Sequence, residues 1–357
     1  MAYLDEQLLT YLGNKRSLLG MIEQGLTEIE KESKINSIID LFSGSGVCSR
    51  LFKSKGYEVI SNDLEDYAKI VSQCYLSNPN EFDIEIWNKL KKEIEVFPTV
   101  FNGVISTFYA PKDTNNIKKG ERAFYTRENA LLIDTYRAGI EKICPESYKK
   151  YFLAPLLSEA SIHTNTSGVF KGFHKDRNTG IGKFGGTRGN ALERITGKIT
   201  LNPPVLCDKS NKYTIYQSDA NELSKTITAD VAYLDPPYNQ HPYGSNYFML
   251  NVILKNDFPT NISAVSGIVA DWNRSNYNKK PKIYESLNEV INNLNVKYIL
   301  LSYNSEGFLS YDEIIEMLEQ YGTVSVFSTQ YNTFRGCRNL NDRDIHVTEY
   351  LFLLKKS

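Results

Sequence analysis

The stretch SIIDLFSGSGVCSRLFKSKGYEVISND (37 to 63) constrains the fold more than any other. SIIDLF is a short apolar run that stops at the glycine turn GSG. VCSRLFKSKG follows with helical periodicity and is stopped by Gly56, and YEVISND reads as a second strand. Strand, glycine turn, helix and strand make a βαβ unit, whose two strands run in the same direction. The chain is therefore expected to build a parallel sheet.

Helical spacing also marks LLGMIEQGLTEIEKE (18 to 32) before this unit, and DYAKIVSQCYL (66 to 76) and IEIWNKLKKEIEVF (84 to 97) after it. From about 98 to 204 the strand–helix alternation stops. That stretch holds two helical patterns, NALLIDTYRAGIEKI (129 to 143) and YKKYFLAPLLSEASIH (148 to 163). After them comes KGFHKDRNTGIGKFGGTRGNALERITGK (171 to 198), with seven Lys/Arg, one His and seven Gly against only Asp176 and Glu193. Alternation resumes with YTIYQSD (213 to 219), VAYLD (231 to 235), a helix at 283 to 294, VKYILLSY (296 to 303), a helix at 311 to 320 and TEYLFLLKK (348 to 356). One α/β sheet, carried by residues 1–97 and 205–357, is thus split by an insertion spanning 98–204.

At 357 residues and 41% hydrophobic, such a sheet with an insertion can bury a core that needs no covalent staples. Forty-one basic against 42 acidic side chains leave a formal charge of −1, so any surface for a polyanion must be local. The five cysteines (Cys48, Cys74, Cys144, Cys207, Cys337) form no CxxC pair and the four histidines are dispersed, which argues against a disulfide framework or a metal site. The opening MAYLDEQLLTYLGNKR lacks the order of a signal peptide, and no apolar run approaches the roughly 18 residues of a membrane span. A reducing cytoplasm is the expected location.

DLFSGSG (40 to 46) places Gly44 and Gly46 where backbone must pass close to a ligand. Asp63, nineteen residues after Gly44 at the tip of the next strand, can accept both hydroxyls of a ribose. The combination indicates a nucleoside cofactor. Dinucleotide binding would prefer a third glycine at position 49, where this chain has Ser49, and no GK[ST] follows to make a P-loop. A second signal is DPPY (235 to 238), in which two prolines end the strand VAYL and stiffen a turn that carries a carboxylate and an aromatic ring.

The order YLGNK (11 to 15), DLFSGSG, SND (61 to 63), a long insertion, QSDA (217 to 220) and DPPY resembles the Dam-like, alpha-group adenine-N6 DNA methyltransferases. RAFYTRENALLIDTYR (122 to 137), HTNTSGVFKGF (163 to 173), YNQHPYGSNYFMLN (238 to 251) and LLSYNSEGFL (300 to 309) are similar to the modification methyltransferases of FokI-type restriction systems. The resemblance implies an α/β fold: a Rossmann-like S-adenosylmethionine-dependent methyltransferase sheet with an inserted, largely helical target-recognition domain. It implies S-adenosylmethionine as cofactor, with Gly44 and Gly46 against its methionine portion beside Asp40 and Phe42, and Tyr11 and Lys15 over its carboxylate end. By the same resemblance Asp63 takes the ribose hydroxyls and Asp219 the adenine amino group.

The DPPY chemistry follows from the target. An adenine N6 amine is a poor nucleophile because its lone pair is delocalised into the ring, so it must be held bent out of plane. The Asp235 carboxylate and the Pro236 carbonyl are two acceptors at fixed angles, the proline pair Pro236 and Pro237 keeps that carbonyl from relaxing, and Tyr238 offers a stacking face to a base extruded from its duplex. A sulfonium methyl is already activated, so this chemistry requires no metal. For target recognition, Lys171, Lys175, Arg177, Lys183 and Arg188 in the basic stretch, with Arg335 and Arg338 in YNTFRGCRN (331 to 339), can contact phosphates or guanine edges. The expected activity is methylation of adenine N6 in double-stranded DNA, by a monomer acting as the protective half of a restriction-modification system beside a cognate restriction endonuclease. Rivals are N4-cytosine methylation, whose motif more often begins with Ser, protein glutamine methylation, and a DNA-binding module with a decayed site. A nicotinamide dehydrogenase is disfavoured by Ser49.

Overall fold

The computed structural model describes residues 2–186, 189–332 and 346–357. Seven strands, β1 (Ser37–Asp40), β2 (Glu58–Asn62), β3 (Tyr213–Tyr216), β4 (Val231–Leu234), β5 (Tyr298–Asn304), β6 (Gly322–Asn332) and β7 (His346–Lys356), form one sheet in the order β3-β2-β1-β4-β5-β7-β6. The first five in that order run parallel, as the βαβ unit requires. The expectation of a parallel sheet fails at the far edge, where β7 is antiparallel to both β5 and β6. The chain leaves β5 through the helix Tyr311–Glu319, lays down β6 one position further out, and returns as β7 into the gap. A strand that fills a slot on the way back must run against both neighbours.

The glycines of the first turn set where its helix begins and ends. Gly46 (φ 76°) is the N-cap of the helix Val47–Lys55, and Gly56 (φ 99°) closes it by donating to the carbonyls of Lys53 and Phe52. Both lie in the left-handed region that glycine enters at little cost. The helices Leu19–Glu30, Asp66–Tyr75, Ile84–Glu95, Arg127–Ile143, Glu146–Ile162, Lys280–Asn293 and Tyr311–Glu319 fall on the segments whose periodicity predicts them. The helix Phe248–Lys255 and strand β6 are additional.

Side chains alternate across the sheet, so Ile38, Val231, Leu300 and Leu351 pack under the helices Leu19–Glu30 and Val47–Lys55. Ile39, Ala232, Leu234, Ile299 and Leu301 face the opposite layer, with Ile283, Leu287, Ile314 and Met317. Residues 98–204 contain helices and one isolated bridge, Lys175 with Gly182, and no strand among the described residues. Their helices share one apolar cluster with Asp66–Tyr75, Ile84–Glu95 and Phe248–Lys255, and Trp87 stacks on Phe152 at 4.9 Å between ring centroids. Residues 98–204 are therefore packed onto the sheet's helices rather than hung from a linker.

Candidate active site

A cleft opens at the carboxyl ends of β1, β2 and β4, where an α/β sheet places its ligands. Gly44 (φ 49°) donates its N–H to Asp63 Oδ2 at 2.7 Å, and the N–H of Glu65 donates to Asp63 Oδ1 at 2.9 Å. One carboxylate thus ties the glycine turn after β1 to the loop after β2. Each of its oxygens retains a second lone pair. Glu65 lies beside it, buried, and accepts from Asn251 Nδ2 at 2.7 Å; burial pushes its carboxyl up to about 7, with the charge of Asp63 adding to the shift.

Asp40, the last residue of β1, is fully buried and accepts from the Ser49 hydroxyl at 2.6 Å through Oδ2. Ser49 stands where a dinucleotide motif would have glycine, and here its hydroxyl orients an acid of the cleft wall. Asp40 Oδ1 has no hydrogen-bond partner, and burial raises the carboxyl to about 7 against the pull of Ser49. Tyr11 lies over Gly44, its ring carbon 3.3 Å from where a Cβ would sit. It belongs to a cluster of near-parallel rings with Tyr247 and Tyr243, at 4.3 and 5.0 Å between ring centroids, those two being 6.0 Å from each other. The segment that delivers Tyr11 is anchored by Arg50, whose buried guanidinium donates to the carbonyls of Tyr3, Glu6 and Gln7 and lies 3.5 Å from the Tyr75 ring centroid.

Asp235 follows β4 directly, and its Oδ1 forms an ion pair of 3.1 Å with Lys15 Nζ. Lys15, expected over a cofactor carboxylate, is buried and committed to Asp235, with Glu349 Oε2 a further 4.0 Å from the same ammonium. Burial alone pulls the Lys15 pKa down, but Asp235, Tyr238 and Glu349 outweigh it and keep the group charged. Burial pushes Asp235 up to about 6 despite Lys15. Pro236 is buried, while Tyr238 tilts against Tyr303 at 5.3 Å between ring centroids and its carbonyl accepts from the Phe308 N–H at 2.9 Å.

Tyr11, Lys15, Asp40, Phe42, Gly44, Asp63, Asp219, Asp235 and Pro237 line this one cleft. Gly46, Pro236 and Tyr238 belong to the same turns without lining it. Gly46 serves the helix start, and a Cβ there would meet Val71 at 3.2 Å. Asp219 also caps the short helix Ala220–Ser224, accepting from the N–H groups of Asn221 and Glu222 through Oδ1. Sequence reasoning missed Glu65, Tyr243, Asn273 and Tyr277, all of which line the cleft. Tyr277 packs edge-on against Phe42 at 5.0 Å and donates to Asn221 Oδ1 at 2.9 Å. Tyr243 lies within YNQHPYGSNYFMLN, directly after the prolines, whereas NRSNYN (273 to 278) carries no pattern that separates it from any polar loop.

The basic stretch is more ordered than its glycine content suggests. Asp176 Oδ1 accepts from the N–H groups of Asn178 and Thr179 and from the Thr179 hydroxyl, forming a tight turn between Lys175 and Lys183. Asp176 N–H donates to the Ile181 carbonyl and Lys183 N–H to that of His174, so 174–183 is a small hairpin with Lys175, Arg177 and Lys183 at its surface. Lys171 is exposed as well, and its charge acts on His241 of the loop that follows DPPY. The Phe170 N–H donates to the Asn246 carbonyl at 2.7 Å, joining this segment to the same loop. Arg188, Arg335 and Arg338 lie outside the described residues.

A seven-stranded α/β sheet, with an acid-lined cleft beyond its parallel strands beside a proline-stiffened turn, is consistent with a methyltransferase fold. The chain belongs to the D12 class N6 adenine-specific DNA methyltransferases, whose family model matches residues 11–317. It is 30% identical to the type II methyltransferase M.NlaIII of Neisseria lactamica over 98% of this chain and 100% of that protein. The type II methyltransferase M.CviAII of Paramecium bursaria Chlorella virus 1 is 31% identical over 96% of this chain and 97% of its own length. The type II methyltransferase M.FokI of Planomicrobium okeanokoites is 27% identical over 97% of this chain, which spans 52% of that protein. The reaction is methylation of adenine N6 in DNA. No helix among the described residues is long and apolar enough to cross a membrane.

Proposed function

We propose that the cleft binds S-adenosylmethionine together with an adenine extruded from double-stranded DNA, and that residues 98–204 recognise the target site. The observation that carries this reading is the placement of Asp235 in the same cleft as Gly44, Asp63 and Asp219. The residues fit the cofactor: the unpartnered buried Asp40 Oδ1 suits an ammonium group, Asp63 retains lone pairs for ribose hydroxyls, and Phe42 with Tyr277 gives an aromatic wall near Asp219. When bound, S-adenosylmethionine supplies an electrophilic methyl on a sulfonium sulfur.

The protein's part is to hold the amine. Lys15 occupies Asp235 Oδ1, so the second carboxylate oxygen and the Pro236 carbonyl accept the two N–H groups of the adenine amine. Both bonds strengthen as the nitrogen turns pyramidal and gains positive charge, which is when they lower the barrier. Tyr238 stacks on the extruded base. The protein works in the cytoplasm as a monomer and as the modification component of a restriction-modification system, protecting DNA from a partner endonuclease. The place in a restriction-modification system takes its support from the type II methyltransferase relatives. Base-resolved mapping of methylated adenines in DNA from cells expressing the chain tests it: one recurring sequence carrying N6-methyladenine is expected, and N4-methylcytosine or unmodified DNA overturns it.

For the hairpin, alanine is substituted singly for Lys171, Lys175, Arg177 and Lys183. Each residue that neutralises a phosphate should, on replacement, lower the salt slope of DNA binding by about 0.9, with cofactor affinity unchanged. A residue that reads a base also relaxes specificity at one position of the site. DNA affinity against salt, measured on cognate and scrambled duplexes, decides this, and four variants identical to the parent on both duplexes remove the hairpin from the interface.

A further inference from the structure

Beside the DPPY turn, β7 contributes an acid that no motif announces. Glu349 is 6% exposed and lies opposite Asn304 in the β5–β7 ladder. Asn304 Nδ2 donates to its Oε1 at 3.3 Å, while Oε2 has no hydrogen-bond partner and faces the Lys15 ammonium at 4.0 Å. The same ammonium is 3.1 Å from Asp235 Oδ1. One buried cation is thus shared unequally between two carboxylates, Glu349 buried and Asp235 partly exposed to the cleft.

An ammonium has three donors and no acceptor, and in a poorly hydrated site it moves toward whichever carboxylates are within reach. With Asp235 alone, Lys15 could settle across both carboxylate oxygens and compete with any other donor. A carboxylate oxygen left without a hydrogen bond in a protein interior is costly to keep, so its retention calls for a purpose. We propose that Glu349 is a positioning residue that acts through Lys15: it draws the ammonium back to one-point contact with Asp235 and so leaves the second Asp235 oxygen to the adenine amine. This rests on the reading of Asp235 as the amine acceptor.

Glu349→Gln keeps the shape and the Asn304 contact but removes the charge. It is expected to slow single-turnover methyl transfer by roughly tenfold to a hundredfold, the scale of a small misplacement at a reacting centre. Cofactor and DNA affinities should stay within about threefold, as for a change away from either ligand. A purely structural role would lower the rate at every pH alike, whereas a charge role also moves the acid limb. The groups facing Asp235 are Lys15 from the N-terminal segment, Asp40 from β1, Cys48 from the helix Val47–Lys55, Tyr233 from β4, Tyr238 and Tyr243 from its own loop, and Glu349. Removing one negative neighbour eases ionisation of Asp235, so the acid limb should shift to lower pH.

Glu349→Asp, which retains the charge, should recover part of the rate and return the limb toward the parent's position, and it carries the test if Glu349→Gln fails to fold. A Glu349→Gln rate within about threefold of the parent with an unmoved limb overturns the inference, as does Glu349→Asp matching Glu349→Gln in both. Asp235→Asn is measured alongside. Parental activity there defeats the reading of Asp235 itself, whereas an inactive Asp235→Asn with an unaffected Glu349→Gln defeats only the role of Glu349.

Discussion

Asp235→Ala is expected to lose methyl transfer by about 10³-fold or more, because it deletes an acceptor whose bond to the amine is strongest in the transition state. Binding of S-adenosylmethionine should persist, since Gly44, Asp63 and Asp40 are untouched and their contacts do not pass through Asp235. Alanine also strands the Lys15 ammonium with Glu349 at 4.0 Å, so Asp235→Asn is the cleaner partner variant. Its amide can present an N–H where the amine needs an acceptor, and it should be comparably inactive. The same role fixes a pH dependence. Burial holds Asp235 near 6, and the carboxylate is a stronger acceptor than the protonated acid, which also carries an O–H donor, so kcat/KM of the parent should rise with pH through about 6 and then level. Transfer of labelled methyl groups to a cognate duplex measures both effects; near-parental labelling by Asp235→Ala removes it from the chemistry.

Much of the catalytic half was legible because its signals are local. The turn GSG, the carboxylate of SND and the prolines of DPPY each fall where a strand ends, and the alternation of apolar runs with helical periodicity orders the strands that carry them. The far edge of the sheet was not legible in the same way. β6 has the alternation Thr323, Val324, Ser325, Val326, readable in principle, but its place beyond β7 and the direction of β7 are set by which slot the returning chain fills. No residue pattern records that. The ion pair of Lys15 with Asp235 and the approach of Glu349 join the beginning, middle and end of the chain, and a motif read along the chain names the carboxylate without naming its partners. Lys15 was legible as a site residue, but its ion pair was not. Glu349 sits in TEYLFLLKK, where a charged residue at the polar start of an apolar run reads as the solvent-exposed end of a strand. Asp63 lies in the cleft as its spacing from Gly44 suggests, yet its second duty, accepting the Gly44 N–H, belongs to the folded turn alone.

That double duty enlarges the effect expected of Asp63→Ala. A hydrogen bond to a charged acceptor contributes about 1.5 to 3 kcal/mol, so loss of the ribose acceptor alone should weaken S-adenosylmethionine roughly tenfold to a hundredfold in Kd. The substitution also releases the N–H groups of Gly44 and Glu65, which Asp63 now holds at 2.7 and 2.9 Å, and with them the shape of the turn on which Tyr11 rests. Asp63→Asn separates the two contributions. Its single amide oxygen can keep the Gly44 bond, but its NH₂ can only donate where Oδ1 accepted, and it bears no charge for the ribose. The asparagine variant should therefore bind the cofactor more weakly than the parent and more tightly than the alanine variant. Both should recover much of their methyl-transfer rate at saturating cofactor, because neither touches Asp235. Titration calorimetry with S-adenosylmethionine gives the order of affinities, and single-turnover rates at saturation give the rest. Unchanged affinity in Asp63→Ala would mean that the ribose lies elsewhere, with Glu65 another carboxylate lining the same cleft.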